Sequence, residues 1–153
     1  MMIPADIRAL CEARPGHIYQ ADNSAATSCL ATLGIDPATE FHAFFSTFVI
    51  ANMYPTHSRD TLAPVADSAG DPQPGIAFAW EVWGIPDRFV AMTSLEGEGG
   101  YFYDKATGNI VDFELAHRAD FVAGDRRILG ETVFDFLRWY LGDDAEPRGY
   151  AAP

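Results

Sequence analysis

The sequence predicts an α+β fold, a single domain whose mostly antiparallel or mixed sheet is covered by N-terminal helices and a C-terminal helix. Apolar residues recur with the period of a helix near both ends of the chain, whereas the middle carries short β-favouring runs separated by turn residues. No alternation of strands and helices around a phosphate-binding glycine loop is present, which argues against a doubly wound nucleotide-binding sheet. We assign residues 1–142 to this domain and residues 143–153 to a flexible, acidic, proline-containing tail.

Composition limits the class of protein and its partners. With 153 residues and 48% hydrophobic content, the chain can bury roughly two thirds of its unfolded surface in one core. Its net charge of -12 must lie on the surface, where it would repel nucleic acid and anionic lipid. Residues 1–4 have neither the basic region nor the apolar run of a signal peptide, and no segment has the ~18 apolar residues of a membrane span. We therefore expect a cytoplasmic protein that binds neither nucleic acid nor membrane.

The first third of the chain predicts three helices. An apolar stripe predicts a helix over residues 4–14, which Pro15-Gly16 ends. Residues 22–34 combine capping residues, alanines and a glycine stop, which favours a second short helix. Asp36-Pro37 opens a third helix with Asp36 as its N-cap, and the aromatic face of this helix should pack on a sheet. That face comprises Phe41, Phe44, Phe45, Phe48 and Val49.

The middle of the chain predicts the sheet. Residues 54–73 are polar and rich in proline, which is typical of an irregular excursion, with a short edge strand predicted at residues 61–66. Residues 76–83 alternate in the manner of a strand, with Phe78 and Val82 on the buried face and Trp83 on the opposite face. Residues 89–94 predict another strand, which leads into the next segment.

Residues 94–113 predict a loop, a strand, a tight turn and a returning strand. Gly97, Gly99 and Gly100 allow positive φ angles or close backbone approach, and the aromatic residues that follow fit a pleated surface. In the turn, Asp104 should hydrogen-bond the backbone and Gly108 should adopt a positive φ. This hairpin is the element around which the rest of the predicted domain is organised.

The last third predicts one more strand and a closing helix. Residues 121–128 are compatible with an edge strand. Thr132 and Asp135 have the spacing of a capping box, and the apolar residues that follow repeat at helical spacing as far as Gly142.

Two glutamates in the glycine-rich loop are the clearest candidate for chemistry. Glu96 and Glu98 could form a catalytic pair only if one of them were desolvated, so that its pKa rose towards neutrality. Nothing apolar separates them, so the sequence favours solvated loop charges that could dock a basic protein. Trp83 and Tyr101 are expected opposite the core face of their strands, where exposed aromatic residues serve as interface anchors. We predict as partner-facing residues Glu96, Glu98, Asp104, Trp83 and Tyr101.

The sequence predicts no catalytic residue, no metal site and no cofactor. The four histidines lack the spacing of a zinc site, and the turn at Asp104 lacks the pattern of a calcium-binding loop. Cys11 and Cys29 lie in helix-like segments and are expected to be buried thiols. A dyad of Cys29 with His117 has no supporting nucleophile motif.

Four segments together resemble the SUKH superfamily, which includes the yeast cell-wall synthesis regulator and many bacterial immunity proteins. The resemblance covers roughly residues 33–141 and is strongest from the glycine-rich loop to the closing helix. Residues 54–73 match it poorly, and the segments before Leu33 are not diagnostic. The segments are LGIDPATEFHAFFSTF, GIPDRFVAMTS, EGEGGYFYDKATGNIVDF and FDFLRWYL.

The resemblance implies a cytoplasmic α+β domain, monomeric or homodimeric, without enzymatic activity or cofactor. Bacterial members commonly neutralise a toxin by binding and occluding it, and the acidic balance here independently fits a partner with a basic surface. The alternative is a housekeeping regulatory or adaptor module without a toxin partner. A third alternative, a small enzyme, would require a cleft lined by Glu96, Glu98 and His117.

Overall fold

The computed structural model describes residues 1–51, 53, 57–58, 60–142 and 146–148. It confirms an α+β single-domain fold. The helices in the described residues are α1 (Ala5–Glu12), α2 (Ser24–Thr32), α3 (Glu40–Thr47), α4 (Pro74–Glu81), α5 (Arg118–Ala123) and α6 (Val133–Tyr140). The strands are β1 (Ile18–Gln20), β2 (Phe48–Ile50), β3 (Phe89–Ala91), β4 (Gly99–Asp104), β5 (Ile110–Glu114) and β6 (Arg127–Gly130).

The main sheet is antiparallel, with the strand order β3-β4-β5-β6, and a separate pair joins β1 to β2. The predicted hairpin is β4 and β5, in which Tyr103 pairs with Ile110 and Gly99 pairs with Glu114. Its turn also forms as predicted: Asp104 Oδ1 accepts a hydrogen bond from the Ala106 amide at 2.9 Å, and Gly108 has a φ of 81°. The local turn chemistry therefore sets the register of the central strands.

The proline-rich excursion runs along the outer edge of β3. The Ala63 amide donates to the Met92 carbonyl and the Ser94 amide donates to the Thr61 carbonyl, each at 2.9 Å. The predicted edge strand at 61–66 is present only as isolated bridges at Leu62 and Ala66. Much of the predicted irregular segment 54–73 is described, whereas positions 54–56 and 59 lie outside the described residues.

Helices cover both faces of the main sheet. On one face Tyr103 stacks on Phe41 of α3 with ring centroids 4.4 Å apart, and Tyr101 meets Phe136 of α6 edge-on at 5.8 Å. On the other face Phe113 packs against Trp83, which follows α4, and against α5. The N-terminal and C-terminal helices therefore cover one face only, and the second layer was not predicted.

The prediction of a strand over residues 76–83 is wrong, because this segment is helix α4. Gln73 is its N-cap, and the side-chain oxygen of this residue accepts from the Gly75 amide at 2.9 Å. Ile76 and Ala79 are fully buried and Trp83 is 8% exposed, which is the i, i+3, i+7 spacing of a helix. Alternating large residues imitated a strand, while Pro74 at the first helical position was the missed start signal.

Other boundaries of the helices and strands need smaller corrections. Helix α3 begins one turn later than predicted, with Thr39 in place of Asp36 as its N-cap, and Phe48 already belongs to β2. The edge strand predicted at 121–128 is correct only at its end, because residues 121–123 belong to helix α5 and the edge strand β6 begins at Arg127. The closing helix is confirmed, and the Thr132 hydroxyl accepts from the Asp135 amide at 3.1 Å.

Part of the predicted tail packs on the domain. The Trp139 indole nitrogen donates to the Glu146 carbonyl, and Arg148 donates to the Leu129 carbonyl, both at 2.6 Å. The rest of the tail lies outside the described residues. In the described part of the chain, no helix has the length and apolar character needed to cross a membrane.

Candidate functional site

A concavity of about 320 Å³ lies at the end of the main sheet, where β4 begins and β5 ends. We call it the acidic hollow, because four carboxylates and no cationic side chain occur among its described lining residues. Glu96 and Glu98, both predicted from the sequence, are exposed at its rim. The residues that line the acidic hollow are Asp60, Glu96, Gly97, Glu98, Gly99, Gly100 and Glu114.

Glycines shape the loop that carries the two glutamates. Gly97 turns the chain with a φ of 93° between Glu96 and Glu98. A Cβ at Gly99 would lie 2.5 Å from the Phe113 carbonyl oxygen, and a Cβ at Gly100 would lie 2.5 Å from a methyl carbon of Leu95. Both glycines are therefore required by close approach, as the sequence predicted.

Glu114 and Asp60 were missed by the sequence analysis. Glu114 enters the acidic hollow because it pairs with Gly99 across the hairpin, and the Leu115 amide fixes this end by donating to the Glu98 carbonyl at 2.7 Å. The predicted turn at Asp104 implies this register, so counting along the two strands would have found Glu114. Asp60 precedes β4 by a long stretch of chain and has no such signal in the sequence.

The core holds the Asp60 wall of the acidic hollow in place. The Tyr140 hydroxyl donates to the Asp60 carbonyl at 2.7 Å and accepts from the Leu62 amide at 2.8 Å. The Ser58 hydroxyl lies 2.7 Å from the Tyr101 hydroxyl and accepts from the Asp60 amide at 3.1 Å. Two buried tyrosines thus carry the loop on which Asp60 lies.

Tyr101 is buried, and its predicted exposure is wrong. Only 3% of Tyr101 is exposed, since α6 covers the sheet face that was expected to be open. Burial raises the pKa of the Tyr101 hydroxyl well above its ordinary value, so the hydroxyl remains protonated at neutral pH and able to hydrogen-bond Ser58. Tyr101 therefore supports the acidic hollow from beneath and offers no surface to a partner.

The predicted exposure of Trp83 is also wrong. Its ring stacks on Phe113 with centroids 5.3 Å apart, and Phe78 meets it edge-on at 5.2 Å. The error follows from the misassigned strand, because the helix directs Trp83 towards the sheet and Phe78 towards solvent. Arg118 holds this corner by donating to the Trp83 carbonyl at 2.6 Å.

Asp104 is also buried, with 3% of its surface exposed, and cannot face a partner in this structure. Its carboxylate accepts from Arg88 at 2.8 Å, from the Ala106 amide at 2.9 Å and from the Thr107 hydroxyl at 3.0 Å. Burial alone would raise the pKa of Asp104, but these hydrogen bonds outweigh burial and hold it below its usual value. Asp104 therefore stabilises the turn by hydrogen-bonding its backbone, as the sequence predicted.

The remaining reactive residues do not converge on the acidic hollow. His117 lies 4.0 Å from Asp120 and is not among the lining residues. Cys11 and Cys29 are buried, and burial raises the pKa of each thiol to about 11. Within the described ranges, no group of three or more His, Cys, Asp or Glu residues is placed to hold a metal ion.

A larger concavity of about 500 Å³ lies between α2, β2 and the excursion. Its walls include Phe45, Phe48 and Val65, and its carboxylates bond to their own loops. Asp22 accepts from the Ser24 amide, and Asp67 accepts from two amides of its turn. Asp22 and Asp67 are both exposed, so this concavity also presents charge, but it has two carboxylates where the acidic hollow has four.

No known family model, curated protein or solved structure matches the chain.

Proposed function

We propose that this protein is a non-enzymatic, cytoplasmic protein-binding domain, and specifically an immunity protein of the SUKH type that neutralises a bacterial toxin. The proposal rests on the acidic hollow, in which Asp60, Glu96, Glu98 and Glu114 converge at one end of the sheet. A basic surface on the toxin would meet these carboxylates, and binding would occlude the toxin's substrate site. The resemblance of residues 33–141 to SUKH proteins supplies the expected biological role.

Charge favours a basic protein as the partner. Opposite charges accelerate diffusional encounter and suppress wrong pairings, and the net charge of -12 extends this attraction beyond the acidic hollow. The same charge would repel nucleic acid, whose backbone phosphates are anionic. A toxin that acts on nucleic acid needs a basic substrate-binding surface, so such a toxin suits the proposal well.

Binding suits the acidic hollow better than catalysis does. Acid/base catalysis by a carboxylate pair requires one member to be desolvated, whereas Glu96 and Glu98 are both exposed. Solvent-exposed carboxylates instead contribute long-range attraction to a partner, mainly through the association rate. The Tyr140 hydroxyl also fixes the Asp60 backbone at one side of the hollow. A surface that is preorganised in this way loses less conformational entropy when a partner binds.

Co-expression with the product of the adjacent gene tests this function. An immunity protein should restore growth of cells that produce the toxin and should co-purify with it. Glu96→Lys/Glu98→Lys should weaken both effects, whereas Glu12→Lys/Asp125→Lys, with the same change in net charge outside the hollow, should retain them. Co-purification without growth inhibition by the adjacent product would favour the adaptor alternative, and absence of both would contradict the proposal.

A further inference from the structure

The outer face of α4 is apolar and remains largely exposed in the described chain, although one edge of the Phe78 ring contacts Trp83. Val82, which caps the helix, is 63% exposed and Phe78 is 42% exposed, and Ala77 lies on the same exposed side. Phe78 and Val82 are four residues apart, so their side chains lie next to each other along the helix. We call these three residues the α4 face. An exposed aromatic beside an exposed aliphatic residue is the kind of feature that interfaces bury.

Packing connects the α4 face to both walls of the acidic hollow. At the start of α4, a Cβ on Gly75 would lie 3.3 Å from Leu95, the residue before Glu96. After its end, Trp83 stacks on Phe113, the residue before Glu114. The Leu95 side chain also lies against Gly100, which lines the hollow. Helix α4 therefore packs against the residues that precede Glu96 and Glu114 in the chain.

The charge near the α4 face indicates what could cover it. Glu81 is exposed between Ala77 and Val82 along the helix, and Asp87 is exposed in the turn that follows. One exposed cation, Arg118, also lies at this end of the helix, where it donates to the Trp83 carbonyl, so the two carboxylates outnumber it. A second copy of this chain would bring another net charge of -12 against the same surface, which opposes self-association. A cationic segment with an apolar side chain would instead satisfy the carboxylates and cover Phe78 and Val82.

We propose that the α4 face and the acidic hollow form one docking surface for a basic partner segment that carries apolar residues among its lysines or arginines. The hollow binds the cationic side chains, and the α4 face binds the apolar ones. This inference rests on the proposed function and adds the chemistry of the partner: positive charge gives weak binding, and an apolar side chain is needed for full affinity.

Two synthetic peptides of equal length and equal positive charge test the proposal, one built from Lys and Leu and one from Lys and Ser. Each is titrated into the ¹⁵N-labelled protein, and amide shifts and Kd are measured. The Lys/Leu peptide should bind about tenfold more tightly, since burial of one large apolar side chain contributes that much. It should shift the amides of both Phe78 and Glu98, whereas the Lys/Ser peptide should shift Glu98 alone.

Variants of the α4 face distinguish binding at this surface from non-specific hydrophobic binding. Phe78→Ser and Val82→Ser should each reduce the advantage of the Lys/Leu peptide and leave the Lys/Ser peptide unaffected. Ile128→Ser is the matched control, because Ile128 is 50% exposed on the edge strand β6, and it should change neither affinity. Circular dichroism should give the same spectrum for all three variants.

Three outcomes would overturn the inference. Equal affinity of the two peptides, or an advantage that persists in both Phe78→Ser and Val82→Ser, would show that the α4 face takes no part. A wild-type dimer in sedimentation that Phe78→Ser dissociates would assign the face to a second copy. If both peptides shift the amide signals of the hollow and neither shifts those of the α4 face, only this inference fails. If neither peptide shifts the amide signals of the hollow, the proposed function is contradicted as well.

Discussion

The two halves of the hairpin region differ sharply in their surroundings. The loop that carries Glu96 and Glu98 is exposed and lines the acidic hollow. The strand and turn that follow are buried, with 3% exposure at both Tyr101 and Asp104. A few residues of continuous chain therefore pass from a surface available to partners into the centre of the fold.

The aromatic strand therefore supports the acidic hollow without being exposed itself. Helices cover both faces of the sheet, so the aromatic residues of β4 pack inside the protein. The Tyr101 hydroxyl is hydrogen-bonded to Ser58, and the Tyr140 hydroxyl donates to the carbonyl of Asp60, which lines the acidic hollow. If this division is correct, changes in the strand should affect stability, and changes in the loop should affect only binding.

Replacing Tyr101 should have the largest effect on stability. Tyr101→Ala removes a ring packed against Phe136, Trp139 and Tyr140 and leaves a cavity. We expect it to lower the free energy of unfolding by about 3–5 kcal/mol in urea denaturation. Tyr19→Ala is the matched control, because Tyr19 is 45% exposed, and it should cost much less. A similarly small loss of unfolding free energy in both variants would contradict the burial of Tyr101 and the difference between the loop and the strand.

Removing the Tyr140 hydroxyl should have an intermediate effect. Tyr140→Phe leaves the Leu62 amide without its acceptor and the Asp60 carbonyl without its donor, which should cost about 1–3 kcal/mol. Hydrogen exchange at the Leu62 amide should accelerate more than exchange at Tyr103 in β4. Uniform acceleration of both amides would show that the hydroxyl does not specifically brace the hollow.

The Asp104 carboxylate should make stability depend on acid pH. Its pKa is lowered in the folded protein, so its contribution is fully present above the ordinary pKa of an aspartate and is lost as pH falls through the folded value. Asp104→Asn should therefore lose about 1 kcal/mol at pH 7, a modest figure because Arg88 is partly solvated. The difference from wild type should shrink below about pH 4.

The exposed Asp87 provides the control for this pH dependence. Asp87→Asn should stay within about 0.5 kcal/mol of wild type at pH 7. A gap between Asp104→Asn and wild type that is constant from pH 7 to pH 3 would mean that the carboxylate's charge is not what stabilises the turn.

The sequence could predict those parts of the fold that local chemistry determines. The Asp104 turn and the Thr132 cap depend on residues a few positions apart, and both form as predicted. Helix α4 was mistaken for a strand because large residues at every second position hid the helical spacing of Ile76 and Trp83. Pro74 at the first helical position was the local signal that favoured the helix.

The candidate site was only half predictable for the same reason. Glu96 and Glu98 stand out because glycines flank them, and they are exposed as expected. Asp60 joins them through hydrogen bonds from Tyr140, a contact between distant parts of the chain. Exposure at Tyr101 was misjudged because α6 covers the sheet face that was expected to be open, and exposure at Trp83 because α4 was taken for a strand.

Charge reversal in the loop should have the smallest effect on stability and the clearest effect on binding. Glu96→Lys/Glu98→Lys should unfold within about 0.5 kcal/mol of wild type, because both side chains are exposed. Stopped-flow association with the adjacent gene's product should be slower at low salt, with a flatter dependence on ionic strength.

This association rate distinguishes a binding surface at the acidic hollow from a general effect of net charge. We predict a drop of about tenfold for Glu96→Lys/Glu98→Lys, against a clearly smaller change for Glu12→Lys/Asp125→Lys, which shifts the net charge equally outside the acidic hollow. Equal rates for the two charge-reversed proteins, with both fully folded, would contradict a binding surface at the acidic hollow.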